Sequence, residues 1–335
     1  MKKIFGFVLM LLCVMALTGC GKTDKKTILN KFEKKVNNVN GYQVQAEMEL
    51  VNNEDSYKYD VLVSYKKKNN YRVSLKNQTN NHEQIILKNE DGVYVLSPNL
   101  NKSFKFQSQW PYNNSQSYLI QSVLSDMKND SKLSMKQTKK GYVFKSKVNY
   151  KNNANLSYQE VLIDKNLNIK NVTVYDNDGN TGIKVDFKSV DMKAKFDDDY
   201  FTIEENMQTS VIQDNNLEKQ FNELDEAIYP MYLPEGTYLE TEKNVELDTG
   251  SRIILTFAGD SSFMLIEEPV NKSTEMEIIP TSGDIEIFAD GIAIIGDSSV
   301  SWSSNDVEYY LVSSEIDTKE LINVAKSMAT MPVGK

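Results

Sequence analysis

Apolar residues along this chain recur mostly at every second position, the spacing of a strand with one buried face. Tyr57, Tyr59, Val61, Val63 and Tyr65 set the pattern first. Similar runs follow at short intervals, separated by residues rich in Asn, Asp and Gly. Successive strands joined by short turns pair antiparallel. The pattern predicts strands at 57–65, 71–75, 85–87, 93–95, 104–106, 142–148, 157–163, 171–175 and 183–187.

Helical spacing interrupts this pattern twice in the first two thirds of the chain. Apolar residues three or four apart predict amphipathic helices at Lys25–Asn38, ended by Gly41, and at Gln116–Met127. Helices combined with an antiparallel sheet make an α+β domain. We expect it to span residues 25–205, with the sheet curled into an open half-barrel.

The last third of the chain predicts a second, smaller α+β domain at residues 230–335. An acidic stretch poor in apolar periodicity precedes it, so residues 206–229 are expected to be a linker and a helix at Asn215–Tyr229, which Pro230 ends. A capping box at Asp317–Glu320 starts the closing helix. Its antiparallel strands are predicted at 252–257, 262–267, 284–288, 291–295, 300–303 and 307–312.

The first twenty residues predict export and lipidation. Lys2 and Lys3 precede an apolar run that ends in Leu17-Thr18-Gly19-Cys20. The run is shorter than the about 20 residues of an ordinary transmembrane helix. We expect residues 1–19 to be a lipoprotein signal peptide, Cys20 to carry acyl chains such as palmitate, and residues 20–24 to be a lipidated tether. The protein would then be anchored on the extracytoplasmic face of the cell membrane; the alternative is an uncleaved membrane anchor.

Charge is divided unevenly between the two predicted domains. Residues 20–205 carry 29 Lys and Arg against 23 Asp and Glu, whereas residues 206–335 carry 7 against 24. A basic domain beside the anchor would be drawn to anionic lipid, although both surfaces could equally be ordinary solvated ones. An exported lipoprotein has no access to nucleic acid, so that class of partner is excluded.

The sequence contains no recognisable catalytic or metal-binding cluster. His82 is the single histidine, and a solvated turn is the expected place for it. The run Asp176–Asn180 suggests calcium, but Thr181 and Phe187 stand where an EF-hand loop needs Gly and Glu, so a tight hairpin is expected. We therefore predict no enzyme activity, no cofactor and no metal. A glycosidase-type carboxylate pair can be judged only from geometry.

Without a catalytic or metal site, the function that the sequence pattern favours is binding. If the half-barrel stays open, its apolar side forms a groove suited to an acyl chain or an apolar peptide. The alternative is a filled core. Trp110 could anchor a partner or cover the barrel mouth. The predicted wall residues are Tyr57, Tyr59, Val61, Val63, Tyr71, Val73, Phe104, Phe106 and Trp110.

Two resemblances add to this interpretation. A helix leading into a curled sheet, with Tyr71-Arg72-Val73 and Asp176–Asn180 as landmarks, resembles the lipoprotein-carrier superfamily of LolA, LolB and RseB. Residues 92–111, together with Cys20, are similar to the GerS-related germination and sporulation lipoproteins of spore-forming Firmicutes. The resemblance implies a LolA/RseB-like fold and a role near the spore envelope. It implies an envelope or cortex-processing protein as partner or, alternatively, a lipid or lipoprotein carrier or sensor.

Overall fold

The computed structural model describes residues 24–52, 55–208, 224, 226–247, 250–271 and 275–328. The predicted signal peptide at 1–19, the lipidation site Cys20 and residues 21–23 lie outside these ranges. Within the described ranges, no helix is long and apolar enough to cross a membrane. The chain divides into two compact units, residues 1–38 and residues 39–335.

Helix α1 (Lys25–Asn37) is the regular element in the described part of the first unit, residues 24–38. The carboxylate of Asp24 accepts the N–H of Thr27 at 3.2 Å and so satisfies one of the free donors at the helix start. At the other end, the N–H of Asn38 still donates to the carbonyl four residues back. The helix predicted at Lys25–Asn38 is confirmed.

The second unit contains nineteen strands and three helices among its described residues. The helices are α2 (Ile120–Asn129), α3 (Ile203–Gln208) and α4 (Thr318–Lys326). The strands are β1 (Gly41–Asn52), β2 (Asp55–Lys66), β3 (Asn70–Asn77), β4 (Glu83–Asn89), β5 (Gly92–Ser97), β6 (Lys102–Phe106), β7 (Ser134–Gln137), β8 (Gly141–Lys147), β9 (Leu156–Asp164), β10 (Ile169–Asp176), β11 (Thr181–Asp191), β12 (Thr237–Leu247), β13 (Gly250–Gly259), β14 (Phe263–Pro269), β15 (Glu277–Thr281), β16 (Asp284–Ile287), β17 (Ile292–Ile295), β18 (Ser299–Ser304) and β19 (Val307–Val312).

These strands form two sheets. The first has twelve strands in the order β15-β6-β5-β4-β3-β2-β1-β11-β10-β9-β8-β7, and the second has seven in the order β12-β13-β14-β19-β18-β17-β16. Each order runs between two end strands that do not pair with one another, so the sheets are curled but not closed. The predicted class, α+β with an open curled antiparallel sheet followed by a smaller sheet and a closing helix, is confirmed. Domain boundaries at 205 and 230 stay a prediction.

One face of the first sheet is apolar across most of its width. The register sets Val63 between Val44 and Val73, and the row continues through Ile86 and Val95. All five side chains are buried. Because side chains alternate between faces, this row identifies the core face of the sheet, which helix α2 meets at β8.

The opposite face is covered at β4 and β5 by residues 196–208, which we call the outer cover. Phe201, Ile203 and Met207 pack there against a cluster formed by Ile85, Leu87, Tyr94 and Leu96. Asn89 Nδ2 fixes the cover by donating to the carbonyl of Phe201 at 3.0 Å. Residues 197–208, the described part of the acidic stretch that marks the predicted domain boundary, therefore pack against the first sheet.

The second sheet has its own core under helix α4. Asp317 caps the helix by accepting the N–H of Glu320 at 2.8 Å, as the capping box predicts. Trp302 and Tyr309 stack with ring centroids 4.8 Å apart. The side chains that meet in this core include Leu255, Phe257, Phe263, Leu265, Val300, Leu311, Leu321, Ile322, Val324 and Ala325.

Strand β15 joins the two sheets. It follows β14 of the second sheet in sequence, yet it lies parallel to β6 at the edge of the first sheet. The N–H of Glu277 donates to the carbonyl of Asn101 at 3.0 Å. Pro280 lies within the strand, which fits an edge position because proline has no N–H to donate to a further strand. The predicted set of strands lacks β15, and it also lacks β1, β7 and β12.

The helix predicted at Asn215–Tyr229 is wrong for the part that the structure describes. Residues 226–229 have no helical backbone, and residues 215–223 lie outside the described ranges. The N–H of Leu224 donates to Ser251 Oγ, and the N–H of Ile228 donates to the Glu267 carboxylate at 3.0 Å. Side chains of the second sheet thus take the backbone donors that a helix would use internally.

Candidate functional site

The predicted wall residues lie where the alternation places them, but most of them are covered. The eight on strands share the core face of the first sheet. Tyr57 and Phe104 are half-buried, and Tyr57 borders the apolar cavity described below. The others are buried and line neither large cavity: Tyr59, Val61, Val63, Tyr71, Val73, Phe106 and Trp110.

Trp110 covers the core and offers no surface to a partner. Its side chain is 1% exposed, and its ring meets Tyr71 edge-on with centroids 5.8 Å apart. Lys88 Nζ donates to the carbonyl of Trp110 at 2.6 Å. The exposed aromatic residue of this segment is Tyr112, at 60% exposure. Sequence reasoning missed Tyr112, although it stands in the same polar run.

A loop of the second sheet covers the middle of the core face. Tyr59 donates its hydroxyl hydrogen to the carbonyl of Phe288 at 2.7 Å, with the carbonyl of Ala289 2.9 Å away. Asn77 Nδ2 also donates to Ala289, at 2.9 Å. Burial raises the pKa of the Tyr59 hydroxyl well above its ordinary value. The hydroxyl is therefore a permanent donor that pins the loop to strands β2 and β3.

A cavity of about 520 Å³ lies beside this junction. Its volume falls within the roughly 300–1,000 Å³ of small-molecule sites. Strands β1, β2 and β11 supply one wall, and the β16–β17 region, Trp302 and the end of α4 supply another. The apolar and aromatic lining consists of Met48, Leu50, Val51, Tyr57, Tyr118, Tyr150, Leu156, Ile183, Ile285, Ile287, Phe288, Ala289, Trp302 and Ala325. Residues 114–117, Asn153, Asn155, Asp176, Asn180, Thr181 and Asp290 add polar groups to the lining.

One charged pair borders this apolar cavity. Lys326 Nζ lies 3.4 Å from Glu286 Oε1 and 5.3 Å from the centre of the Phe288 ring. The Glu286 side chain is 11% exposed, so the pair is well shielded from water. The cavity thus combines apolar walls with polar groups from several segments, this ion pair among them, an arrangement that can orient an amphipathic ligand.

The outer face of the second sheet carries a second candidate site. Ile254, Ile266 and Tyr310 are neighbours in register across β13, β14 and β19, and Met264 is the partner of Val312 in the next row. We call these five residues the outer apolar patch. Met264, Tyr310 and Val312 are 36%, 39% and 38% exposed, so this face is accessible where its counterpart on the first sheet is covered.

Comparison with known proteins identifies the family. The family model "Sporulation protein YdcC-like" matches residues 1–201. Sporulation protein YdcC of Bacillus subtilis (strain 168) is 35% identical over 333 residues, covering 98% of each chain. The chain belongs to the YdcC-like family of sporulation proteins. The expectation of a sporulation protein is therefore confirmed for the family.

Solved structures resemble this YdcC-like protein more distantly. The MucA/MucB complex of Pseudomonas aeruginosa matches with 12% identity and a TM-score of 0.31 over 89% of this chain and 95% of that chain. A LolA superfamily protein from Nitrosomonas europaea matches with 12% identity and a TM-score of 0.31, over 54% of this chain and 98% of that chain. The structure of the CwlD amidase from Clostridioides difficile in complex with the GerS lipoprotein matches with 17% identity and a TM-score of 0.23. The match covers 52% of this chain and 98% of that chain. At these TM-scores the likeness carries no functional argument.

The titratable groups that could suggest chemistry in this YdcC-like chain lie in exposed loops or in structural contacts. His82 is an exposed turn residue, and the described residues hold no cluster of His, Cys, Asp or Glu that could bind a metal. Asp176 accepts the N–H groups of Asp178 and Asn180, which confirms the predicted hairpin. Burial raises the pKa of Asp126 and of Glu267 to about 7.

Those two buried acids have separate structural partners. Asp126 on α2 accepts Gln159 Nε2 at 3.2 Å, and Glu267 on β14 accepts the N–H of Ile228. Neither contact supplies a proton acceptor or a second carboxylate, which an acid–base pair requires.

Proposed function

We propose that this YdcC-like protein is a membrane-anchored, non-catalytic lipoprotein that holds or positions an envelope protein partner during spore formation or germination. Family membership supports the link to sporulation. The Cys20 box in the sequence supports the anchor. The outer apolar patch carries the choice of a protein partner.

A protein partner suits the outer apolar patch because its residues are contiguous on three paired strands. Isolated exposed apolar side chains are ordinary, whereas adjacent ones on a flat face mark interaction sites. Tyr and Met are enriched in protein interfaces. The Arg252–Glu268 ion pair at 2.5 Å lies on the same face as a polar rim. An apolar centre with a polar rim is the usual anatomy of a protein interface.

The test compares two methionines that are almost equally exposed but lie at different positions. Met264 of the patch is 36% exposed, and Met276, outside the patch, is 40% exposed. Each is replaced by Lys in the full chain, which is then cross-linked in sporulating cells. We expect Met264→Lys to lower the yield of the cross-linked envelope partner about tenfold, the effect of one interface hot spot. Met276→Lys should retain the partner.

The spore phenotypes of the two variants should parallel their cross-linking yields. Met264→Lys should reproduce the sporulation or germination defect of a deletion strain, and Met276→Lys should complement it. Equal partner yields and equal phenotypes for the two variants would refute the proposed surface. Cys20→Ser tests the anchor separately: labelled palmitate should disappear from the protein, and the protein should leave the membrane fraction.

A second candidate function is a lipid or lipoprotein carrier or sensor, and the apolar cavity of about 520 Å³ favours it. Native mass spectrometry of the full chain in detergent should then detect a bound acyl lipid. Ile287→Trp would fill the cavity and abolish that adduct, whereas Ile278→Trp, at a 45% exposed site on β15, would leave it unchanged. A protein free of lipid, or an adduct that survives Ile287→Trp, would exclude this function.

A further inference from the structure

A second large cavity, of about 550 Å³, lies beside helix α2. Its lining contrasts with that of the apolar cavity, because twelve of its fifteen residues are polar or charged. The lining comes from the 111–115 segment, the exposed side of α2, the turn after α2 and residues 147–149. We call it the polar cavity.

The polar cavity suits an uncharged ligand that both donates and accepts many hydrogen bonds. Two acids, Asp126 and Asp130, and two lysines, Lys132 and Lys147, line it, so it is not strongly basic. A phosphate or other strong anion would meet the Asp130 carboxylate there and, above a pH of about 7, that of Asp126 as well. Carboxamides and hydroxyls can each donate and accept, so they match sugar hydroxyls and acetamido groups. The uncharged polar lining is Asn114, Ser115, Gln121, Ser122, Ser125, Asn129, Ser131 and Asn149.

Several of these groups are available for a ligand. Gln121 accepts the Tyr42 hydroxyl through Oε1, and its Nε2 has no partner among the residues that the structure describes. Within the same described ranges, the carboxamide of Asn149 and the ammonium groups of Lys132 and Lys147 also lack hydrogen-bond partners. These groups come from two walls of the cavity, so a single ligand could meet them together.

Tyr112 provides an aromatic surface at this cavity. The side chain is 60% exposed, and two contacts hold it in place. Its hydroxyl donates to Asn69 Oδ1 at 2.6 Å, and Lys88 Nζ lies 5.0 Å from the ring centre. A fixed ring with one polar tip binds a ligand that has both a C–H surface and hydroxyl groups. Sugar rings have both, whereas an extended peptide would bring side chains that the polar walls do not accommodate.

We infer that the polar cavity is a saccharide-binding subsite for a neutral, amide-bearing oligosaccharide, with Tyr112 as its stacking surface. Gln121 and Asn149 provide hydrogen bonds to hydroxyl or acetamido groups. The subsite shares no residue with the outer apolar patch, so it stands or falls independently of the proposed protein partner. Sugar binding would place the protein on glycan-containing material while another face holds a protein.

The experiment titrates the full chain, in mild detergent, with tetra-N-acetylchitotetraose by calorimetry and by saturation-transfer NMR. We expect saturable binding, with Tyr112→Ala weakening the affinity about tenfold, as loss of an aromatic stacking surface does. Asn149→Leu should weaken the affinity by a similar factor, because the sugar loses the carboxamide as a hydrogen-bond partner. Tyr238→Ala removes a tyrosine that is 57% exposed on the second sheet and should leave the affinity unchanged.

Three outcomes would overturn the assignment. The first is no saturable sugar binding. The second is binding that Tyr112→Ala and Asn149→Leu leave intact, which would locate the sugar elsewhere. The third is displacement of the sugar by an Ala-Gly tetrapeptide at equal concentration, which would make the cavity a peptide site. Circular dichroism of each variant ensures that lost binding does not reflect lost folding.

Discussion

Each of the two sheets has an apolar area on its outer face, but only one of these two areas is covered. On the first sheet, Phe201 and Met207 of the outer cover pack on β4 and β5. On the second sheet, Met264 and Tyr310 are exposed by more than a third of their surface. In both areas the apolar residues occupy alternate strand positions, so alternation alone does not distinguish a structural face from a binding face. The difference lies in whether another part of the chain supplies a cover.

The largest expected effect separates the covered face from the open one. Phe201→Ala should lower the free energy of unfolding by about 3–5 kcal/mol because it leaves a cavity under the outer cover. Tyr310→Ala should lower it by about 1 kcal/mol or less, since that ring is 39% exposed. Urea denaturation of both variants measures the difference. Similar losses would mean that the outer apolar patch is part of the folded core.

The next effect concerns the connection between the sheets. Lys102 of β6 pairs with Glu308 of β19, and the two side chains are 12% and 13% exposed. Glu308→Gln leaves the ammonium group shielded without its carboxylate and should cost about 3 kcal/mol. The double variant Lys102→Met with Glu308→Leu should recover most of that loss, because apolar replacement of both partners removes the unpaired charge. A double variant as unstable as the single one would contradict this explanation.

A pH effect should be common to both sheets. Burial raises the pKa of Glu267 from 4.5 to about 7. Between these values the folded protein holds a proton that the unfolded chain has lost, so the free energy of unfolding falls as pH rises. Glu267→Gln should therefore show a flatter decline from pH 4.5 to about 7 than the parent protein. Asp126→Asn should flatten it similarly, because burial raises that pKa to about 7 as well. Denaturation at four or five pH values tests both variants. If the free energy of unfolding declines with pH as steeply in the variants as in the parent protein, the raised pKa values are not its cause.

The smallest expected effect tests the helix that closes the second core. Asp317→Ala removes the acceptor of the Glu320 N–H and should cost about 1 kcal/mol. Lys319→Ala, two positions along in the same first turn, is the matched control and should change stability by less than about 0.5 kcal/mol. Thermal unfolding can resolve this difference. Equal shifts would mean that the cap contributes no more than any exposed residue of the turn.

The local elements were predictable where one face of a strand is apolar and turn residues bound it. Asn89 and Gly92 pair across the hairpin that their sequence predicts, with the side chain of Asn89 accepting the N–H of Asp91 at 2.9 Å. The alternation in β2 and β3 likewise gave the correct core face. By contrast, β12 was not predicted because nearly all of its residues are exposed, so neither face carries an apolar period.

The candidate sites were not predictable in the same way because distant segments create them. Tyr59 has the alternation of a groove wall, yet the loop at Phe288 covers it. No periodicity near Tyr59 encodes a partner more than two hundred residues away. Both large cavities are gaps between such segments, and their lining residues come from loops and strand ends as much as from strand faces. Sequence identified the types of residue available, and only the fold determined which of them meet.

Strand β15 makes the second half of the chain a structural part of the first sheet, and this has a consequence for dissection of the protein. Residues 24–208 produced alone would expose the backbone of β6, an open edge prone to self-association. Co-expression with residues 224–335 should restore a soluble pair, because the second fragment donates the missing strand in trans. The two halves of this protein are thus structurally interdependent, because the second half supplies an edge strand of the first sheet.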